Sequence, residues 1–220
     1  MLLLSLTRRG LRKKDSFLTK KDNPPNFNDT MKNQNNIAFK EWAVVVQGME
    51  EGKQSVLLSK TGVKEENGEF VCEQPEFLLY PTRGYDATDI KPDWKPRLAK
   101  IDKLAGDPKH VPFRIYCVAD KVIRLTDWEI AKQIVPFTVI SDGAIEKRFR
   151  EGGWEGFYCI LVRPYMLAMP MDLTRKESHA QNSPWVTLET SIYTVGAIPT
   201  MPDEVWPFNR KKILQLTQPA

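Results

Sequence analysis

The stretch Ala38–Thr82, AFKEWAVVVQGMEEGKQSVLLSKTGVKEENGEFVCEQPEFLLYPT, decides how the rest of the chain is read. Apolar runs rich in Val, Leu, Phe and Tyr alternate with short polar breaks, the pattern of strands joined by tight turns. Trp42–Met49 reads as a first strand, Glu50-Glu51-Gly52-Lys53 as a turn and Gln54–Lys60 as the return strand. Thr61-Gly62 and Glu66-Asn67-Gly68 are further breaks. Glu69–Tyr80 then reads as a long third strand, interrupted at Pro75.

Working outward, Pro81–Tyr85 ends this block and Asp86–Pro96 is a polar loop holding Trp94. Arg97–Leu104 predicts a short helix, stopped by Gly106 and Pro108. Val111–Thr126 predicts a long strand, with a bulge or a bend at Ala119-Asp120-Lys121. Asp127 is placed to cap a helix over Trp128–Ile134, and Ser141-Asp142 to start another ending at Arg150. Gly156–Pro170 predicts a strand whose prolines imply an edge or a bulge. Trp185–Leu188 predicts a short strand, and Pro202-Asp203-Glu204 the start of a last helix or turn holding Trp206. About six strands and three or four short helices, without βα alternation, predict an α+β fold. The expected form is a small, mixed, mostly antiparallel β-barrel with inserted helices.

Composition narrows the function classes. Of the 32 Lys and Arg and 28 Asp and Glu, residues 1–30 hold seven and three, leaving 25 of each sign in residues 31–220. The remainder is neutral, so binding to a polyanion has to rest on a local patch. Residues 1–30 read as a disordered basic tail or a non-native extension, with Met31 an alternative start, and 31–220 as a single globular domain. Leu2-Leu3-Leu4 is too short for a membrane span or a signal segment. Cys72, Cys117 and Cys159 are far apart and each lies in an apolar run, which predicts buried free thiols in a reducing, cytoplasmic setting. Two histidines, His110 and His179, leave little material for a histidine metal site or a triad. No phosphate loop, nucleophile elbow or cofactor motif is present, so no cofactor is expected.

Three constellations carry possible chemistry. The first is Lys40, Glu41, Lys53, Lys60 and Arg83 with Tyr80 and Tyr85: cations for phosphates and rings for bases, if the early strands pair. A solvated strand rim is its simpler explanation. The second is Trp42, Trp154 and Trp185, core residues or an aromatic pocket for a flipped base. The third is Glu65, Glu66, Glu69, Glu73 and Glu76, a charged edge guarding against aggregation or, alternatively, a magnesium site for a nuclease.

The run AFKEWAVVVQGMEEGKQSVLLSKTGV, with EFLLYPT, FYCILVRPYMLAMPMDL and SPWVTL, resembles an uncharacterised bacterial and archaeal family, domain of unknown function 1802, over about residues 37–206. Ser59, Thr61 and Gly84-Tyr85 depart from that family's usual Arg, Gly and His-Gln. A looser resemblance links Gly52-Lys53 with Ser59-Lys60 to the hairpin of ASCH domains, although Leu57 stands where those usually carry Glu. Val111–Thr126 with LVRPYMLAMPMDL is similar to the later half of ASCH and EVE domains. These are PUA-like barrels, many of which bind RNA or modified nucleotides. The resemblance implies an RNA- or nucleotide-binding module without catalysis. The alternatives are the nuclease and a protein-interaction module. It implies no membrane partner and leaves the oligomeric state open.

Overall fold

The computed structural model describes residues 31–105 and 107–217. The expectation of a basic tail over residues 1–30 lies outside them. The order is β1 (Gln34–Trp42), α1 (Ala43–Glu50), β2 (Val56–Ser59), β3 (Val63–Glu66), β4 (Glu69–Cys72), β5 (Glu76–Thr82), α2 (Leu98–Ala105), β6 (His110–Leu125), α3 (Trp128–Ala131), α4 (Asp142–Arg150), β7 (Phe157–Thr174), β8 (Trp185–Tyr193), β9 (Ile198–Pro199) and α5 (Val205–Leu216). One sheet runs β2-β7-β6-β5-β1-β8, with β9 also on β7, and β3-β4 form a separate hairpin. Every named pairing is antiparallel except β1 with β5. The fold is therefore α+β with a mostly antiparallel sheet. Among the described residues no ladder joins β2 to β8, so strand pairing does not show the expected closed barrel.

The first expected strand is a helix. Trp42 ends β1 with extended backbone, and Ala43 begins α1. Three consecutive valines favour a strand by propensity. Burial overrides it, because Ala43, Val44, Val45, Val46, Gly48 and Met49 are all enclosed, and a helix apolar round most of its circumference belongs inside a protein. Gly48 permits the approach: a Cβ there would stand 2.7 Å from Val139 Cγ1. The expected turn at Glu50–Lys53 is this helix's end, with Gly52 in the left-handed region at φ 66°.

The three early segments also do not pair with one another. β2 pairs with β7, and β1 lies between β5 and β8. The breaks themselves were read correctly. Asn67 and Gly68, at φ 52° and 79°, make the two-residue turn between β3 and β4, with Glu66 opposite Glu69. Pro75 separates β4 from β5.

The pleat sends alternate residues to two cores. Phe77 and Leu79 of β5 join one, under α1, α2 and α4, while Leu78 and Tyr80 join the other with Trp206 of α5. The bulge expected in β6 is present: the register shifts between Ala119 and Lys121, and Asp120 leaves the ladder. β7 is a central strand, and of the edge or bulge implied by its prolines the bulge is what forms: the register steps from Met171 opposite Phe113 to Met166 opposite Ile115, which leaves Pro170 out of the ladder. Pro164 falls between the last β2 partner, Val56 opposite Leu161, and the first β9 partner, Pro199 opposite Tyr165. Its missing N–H is therefore tolerated at a gap in the neighbouring strand. Asp127 and Ser141 cap α3 and α4 as predicted, accepting from Glu129 and Ile130 and from Ala144 backbone N–H groups. All three cysteines are buried free thiols. No helix among the described residues is long and apolar enough to cross a membrane.

Candidate functional site

The one parallel pair sets the site. β1 and β5 run side by side and stop together, Trp42 opposite Thr82. The Thr82 hydroxyl donates to the Glu41 carbonyl at 3.0 Å, locking the two ends. Parallel strands whose chains turn away at their carboxyl ends leave a crevice there. β1 turns into α1 and β5 into the segment after Arg83. Lys60 closes one side from the end of β2, Arg148 comes from α4, and Arg175–Ala180 follow β7 on the far side.

Three clefts result, and they share walls. The first, about 460 Å³, lies between Trp42, Lys60, Asp89, Lys147 and Arg148. The second, about 270 Å³, lies over Glu41 and Ser59 and shares Trp42, Lys60 and Arg148 with the first. The third, about 400 Å³, contains Tyr80, Arg83, Arg175 and His179 and shares Lys40 and Thr82 with the second. Together they form one trough along the ends of β1 and β5.

The trough is locally basic in a neutral domain. Lys40, Lys60, Arg83, Lys147, Arg148, Arg175 and Lys176 line it against Glu41, Asp89, Asp107 and Glu151, seven cations to four carboxylates. How the cations are held matters as much as their number. Lys60 donates to the carbonyls of Phe149 and Trp154 at 3.0 and 2.8 Å. Arg148 donates to the Leu58 carbonyl at 2.8 Å, and Lys40 to that of Gln181 at 2.5 Å. Arg175 donates to Asp107, Ala105 and His110 carbonyls and to the Tyr80 hydroxyl. Neutral oxygens orient these groups without cancelling their charge. Elsewhere Arg97, Arg150, Arg163 and Arg210 are matched with carboxylates. Arg83 makes only a loose 4.0 Å pair with Asp102 and is largely exposed. Burial lowers the pKa of Lys40 and of Lys60, Glu155 partly opposing the second shift.

Glu41 is the trough's buried acid, 6% exposed, with one oxygen accepting from the Trp42 backbone N–H at 2.7 Å. Burial raises its pKa, and Arg148 and that hydrogen bond pull the other way. A carboxyl whose folded pKa lies above its unfolded value binds more protons when folded, so stability falls as pH rises from the ordinary glutamate range through the raised value. Glu41→Gln, which keeps the acceptor and removes the charge, is expected to raise the melting temperature at pH 7–8. The gain is expected to vanish below the ordinary glutamate pKa of about 4.3. Thermal melts at both pH values check this; an equal gain at both would deny that the charge is responsible.

Of the residues singled out in the sequence, Lys40, Glu41, Lys60, Tyr80 and Arg83 do meet in the trough. Tyr85 stands behind it, its hydroxyl donating to Asp102 at 2.7 Å and its ring 5.5 Å from Trp42. Lys53 does not join them. It is exposed at the end of α1, its N–H bonded to the Gly48 carbonyl, and it lines none of the three clefts. Trp154 packs beside Lys60, Arg124 and Tyr158 rather than forming a pocket wall. Trp185 is half-buried and packs against the first core, edge-on to Phe39 and Phe77 at 4.8 and 5.2 Å. Trp42 is likewise covered: the Arg148 guanidinium lies 4.5 Å from its ring centre. Arg148 and Trp42 both line the first and second clefts.

The glutamates of the β3–β4 hairpin do not converge. Glu66 pairs with Lys64, and Glu76 accepts from the Tyr116 hydroxyl and the Lys32 N–H. Among the described residues no three His, Cys, Asp or Glu side chains are grouped to hold a metal ion. Lys147, Arg148, Arg175 and Lys176 belong to the trough and do not figure among the residues that the sequence points to, and His179, considered there only for a metal site or a triad, joins them. Each lies more than 60 residues beyond β5, and nothing in the local pattern announces that α4 and the segment after β7 return to it.

A family model described as Domain of unknown function (DUF1802) matches residues 38–212. No curated protein and no solved structure matches the chain.

Proposed function

We propose that this chain, which belongs to the DUF1802 domain family, binds single-stranded RNA or a nucleotide-like ligand in the trough at the ends of β1 and β5, without catalysing a reaction. The observation that supports this reading best is the set of cations fixed by carbonyl oxygens: Lys40, Lys60, Arg148 and Arg175 stand pre-oriented by neutral acceptors. Such rigid donors suit phosphate oxygens, since little ordering entropy remains to be lost on binding. Arg148 offers a guanidinium plane for a base. In a domain without a net basic field, affinity comes from these few direct contacts and is lost steeply with salt. The similarity to PUA-like modules belongs to this proposal as an analogy of ligand class.

The test is fluorescence titration of a short single-stranded RNA at two salt concentrations. Arg83→Ala and Lys147→Ala, both exposed, are each expected to lower the salt slope by about 0.7 if they meet a phosphate. Circular dichroism should be unchanged. Lys60→Ala is expected to weaken binding and also lower the melting temperature, because Lys60 ties the end of β2 to the carbonyl of Phe149 in the last turn of α4 and to that of Trp154 after it. Tight binding with no change of slope in either variant would place the ligand elsewhere.

A further inference from the structure

We propose that the third cleft, around Arg175, receives the terminal phosphomonoester of the strand lying in the trough, so that the protein distinguishes phosphorylated from hydroxyl ends. This rests on the nucleic-acid reading. A phosphodiester carries one negative charge, whereas a phosphomonoester carries about 1.5–2 and three oxygens that accept hydrogen bonds. The third cleft is furnished for the greater charge. Lys40, Arg83, Arg175 and Lys176 line it, with Asp107 the one carboxylate among its lining residues. Asp107 has its Oδ1 engaged, accepting from the backbone N–H groups of Lys109 and His110 at 2.6 and 3.0 Å, and its Oδ2 lies 3.5 Å from His110 Nδ1.

Arg175 anchors the cleft. A guanidinium has five N–H donors. Its four hydrogen bonds to Asp107, Ala105 and His110 carbonyls and the Tyr80 hydroxyl leave one, on Nη1 beside Tyr80. The Tyr80 hydroxyl accepts from Arg175, so its own O–H is left to donate, and Tyr80 lines the same cleft. His179 stands across it, edge-on to the Tyr80 ring at 5.6 Å, kept below its ordinary pKa first by burial and then by Lys176, Lys40 and Arg175. Lys176 reaches Glu189 at 2.5 Å outside the cleft, a surface pair that a phosphate can displace. Lys40 and Thr82 are walls of the second cleft as well, so a strand crossing it would deliver its end here.

The experiment compares three RNAs of one sequence, with a 5′-phosphate, a 3′-phosphate or hydroxyls at both ends. One phosphorylated form is expected to bind about tenfold more tightly than the hydroxyl form, the size of one or two charge-assisted hydrogen bonds. Inorganic phosphate is expected to compete away that advantage alone. Lys176→Ala is expected to weaken the phosphorylated strand more than the hydroxyl strand and so reduce the advantage, and Arg175→Lys, which keeps the charge but not the fork of donors, is expected to do the same; an advantage unchanged in both variants would overturn the assignment to this cleft. Equal binding of all three strands would overturn the end-recognition reading and leave the trough standing. No binding of any strand would overturn both.

Discussion

Trp206→Ala is expected to destabilise the protein by about 3–5 kcal/mol, the range for deleting a large aromatic from a core. Trp206 is fully buried and heads the fully enclosed side chains by volume. It fills the second core, between Leu78 and Tyr80 of β5 and Tyr165 of β7, on the sheet face opposite α1. Its indole Nε1–H donates to the Val162 carbonyl at 3.0 Å, and the Arg163 guanidinium lies 5.1 Å from the ring centre. Removing the ring opens a cavity and strips the carbonyl of that donor. In a chain of this size each kcal/mol shifts the melting temperature by about 2–4 °C, so the loss is large in a thermal melt. Trp206→Phe keeps most of the volume and loses the hydrogen bond, and is expected to cost about 1–3 kcal/mol. A Trp206→Ala melt within a degree of wild type would mean that α5 does not close this core.

The second large effect lies at the β6 bulge. Asp120 and Arg210 form an ion pair whose side chains are 1% and 6% exposed, Nε to Oδ2 at 2.6 Å and Nη2 to Oδ1 at 3.3 Å. Two bonds to one carboxylate make this a forked pair. Its net worth against an apolar replacement is small, because both charges were taken from water. Breaking it is another matter, since one buried charge then loses its counter-ion. Asp120→Ala is expected to cost about 3–5 kcal/mol, and Asp120→Asn nearly as much despite its matching shape. Asp120→Ala with Arg210→Met should recover a good part of the loss. Denaturant melts of the two single variants and the double variant close the cycle. If the double variant is as unstable as the sum of the singles, the pair does not act as a unit.

The sequence made the later elements legible because their signals are local. The Asp127 and Ser141 caps, the Asn67-Gly68 turn and the interruption at Asp120 each depend on a few neighbouring residues, and each stands where predicted. The opening block misled for the converse reason. AVVVQGM has the composition of a strand, and enclosure by residues distant in sequence, Val139 against Gly48 and Ile101 beside Ala43 and Val46, favours the helix instead. That change also removed the imagined meander. Lys40, Lys60 and Arg83 then came together by a different route, through the parallel pairing of β1 with β5 and the return of β2 to β7. Propensity carries no information about that register. Trp185 and Trp154 show the same limit. An indole's sequence neighbours do not reveal whether its faces meet Phe39 and Phe77 or solvent.

The most direct measurement of where a ligand sits is photo-crosslinking. A short single-stranded RNA carrying 4-thiouridine would be irradiated on the intact protein at low salt and the adducts mapped by mass spectrometry. The account predicts adducts on the peptides spanning residues 40–42, 80–85 and 147–152, the walls of the trough, and their loss when Arg83 and Lys147 are both replaced by Ala. Adducts confined to the β3–β4 hairpin or to α5, or none at all, would contradict it.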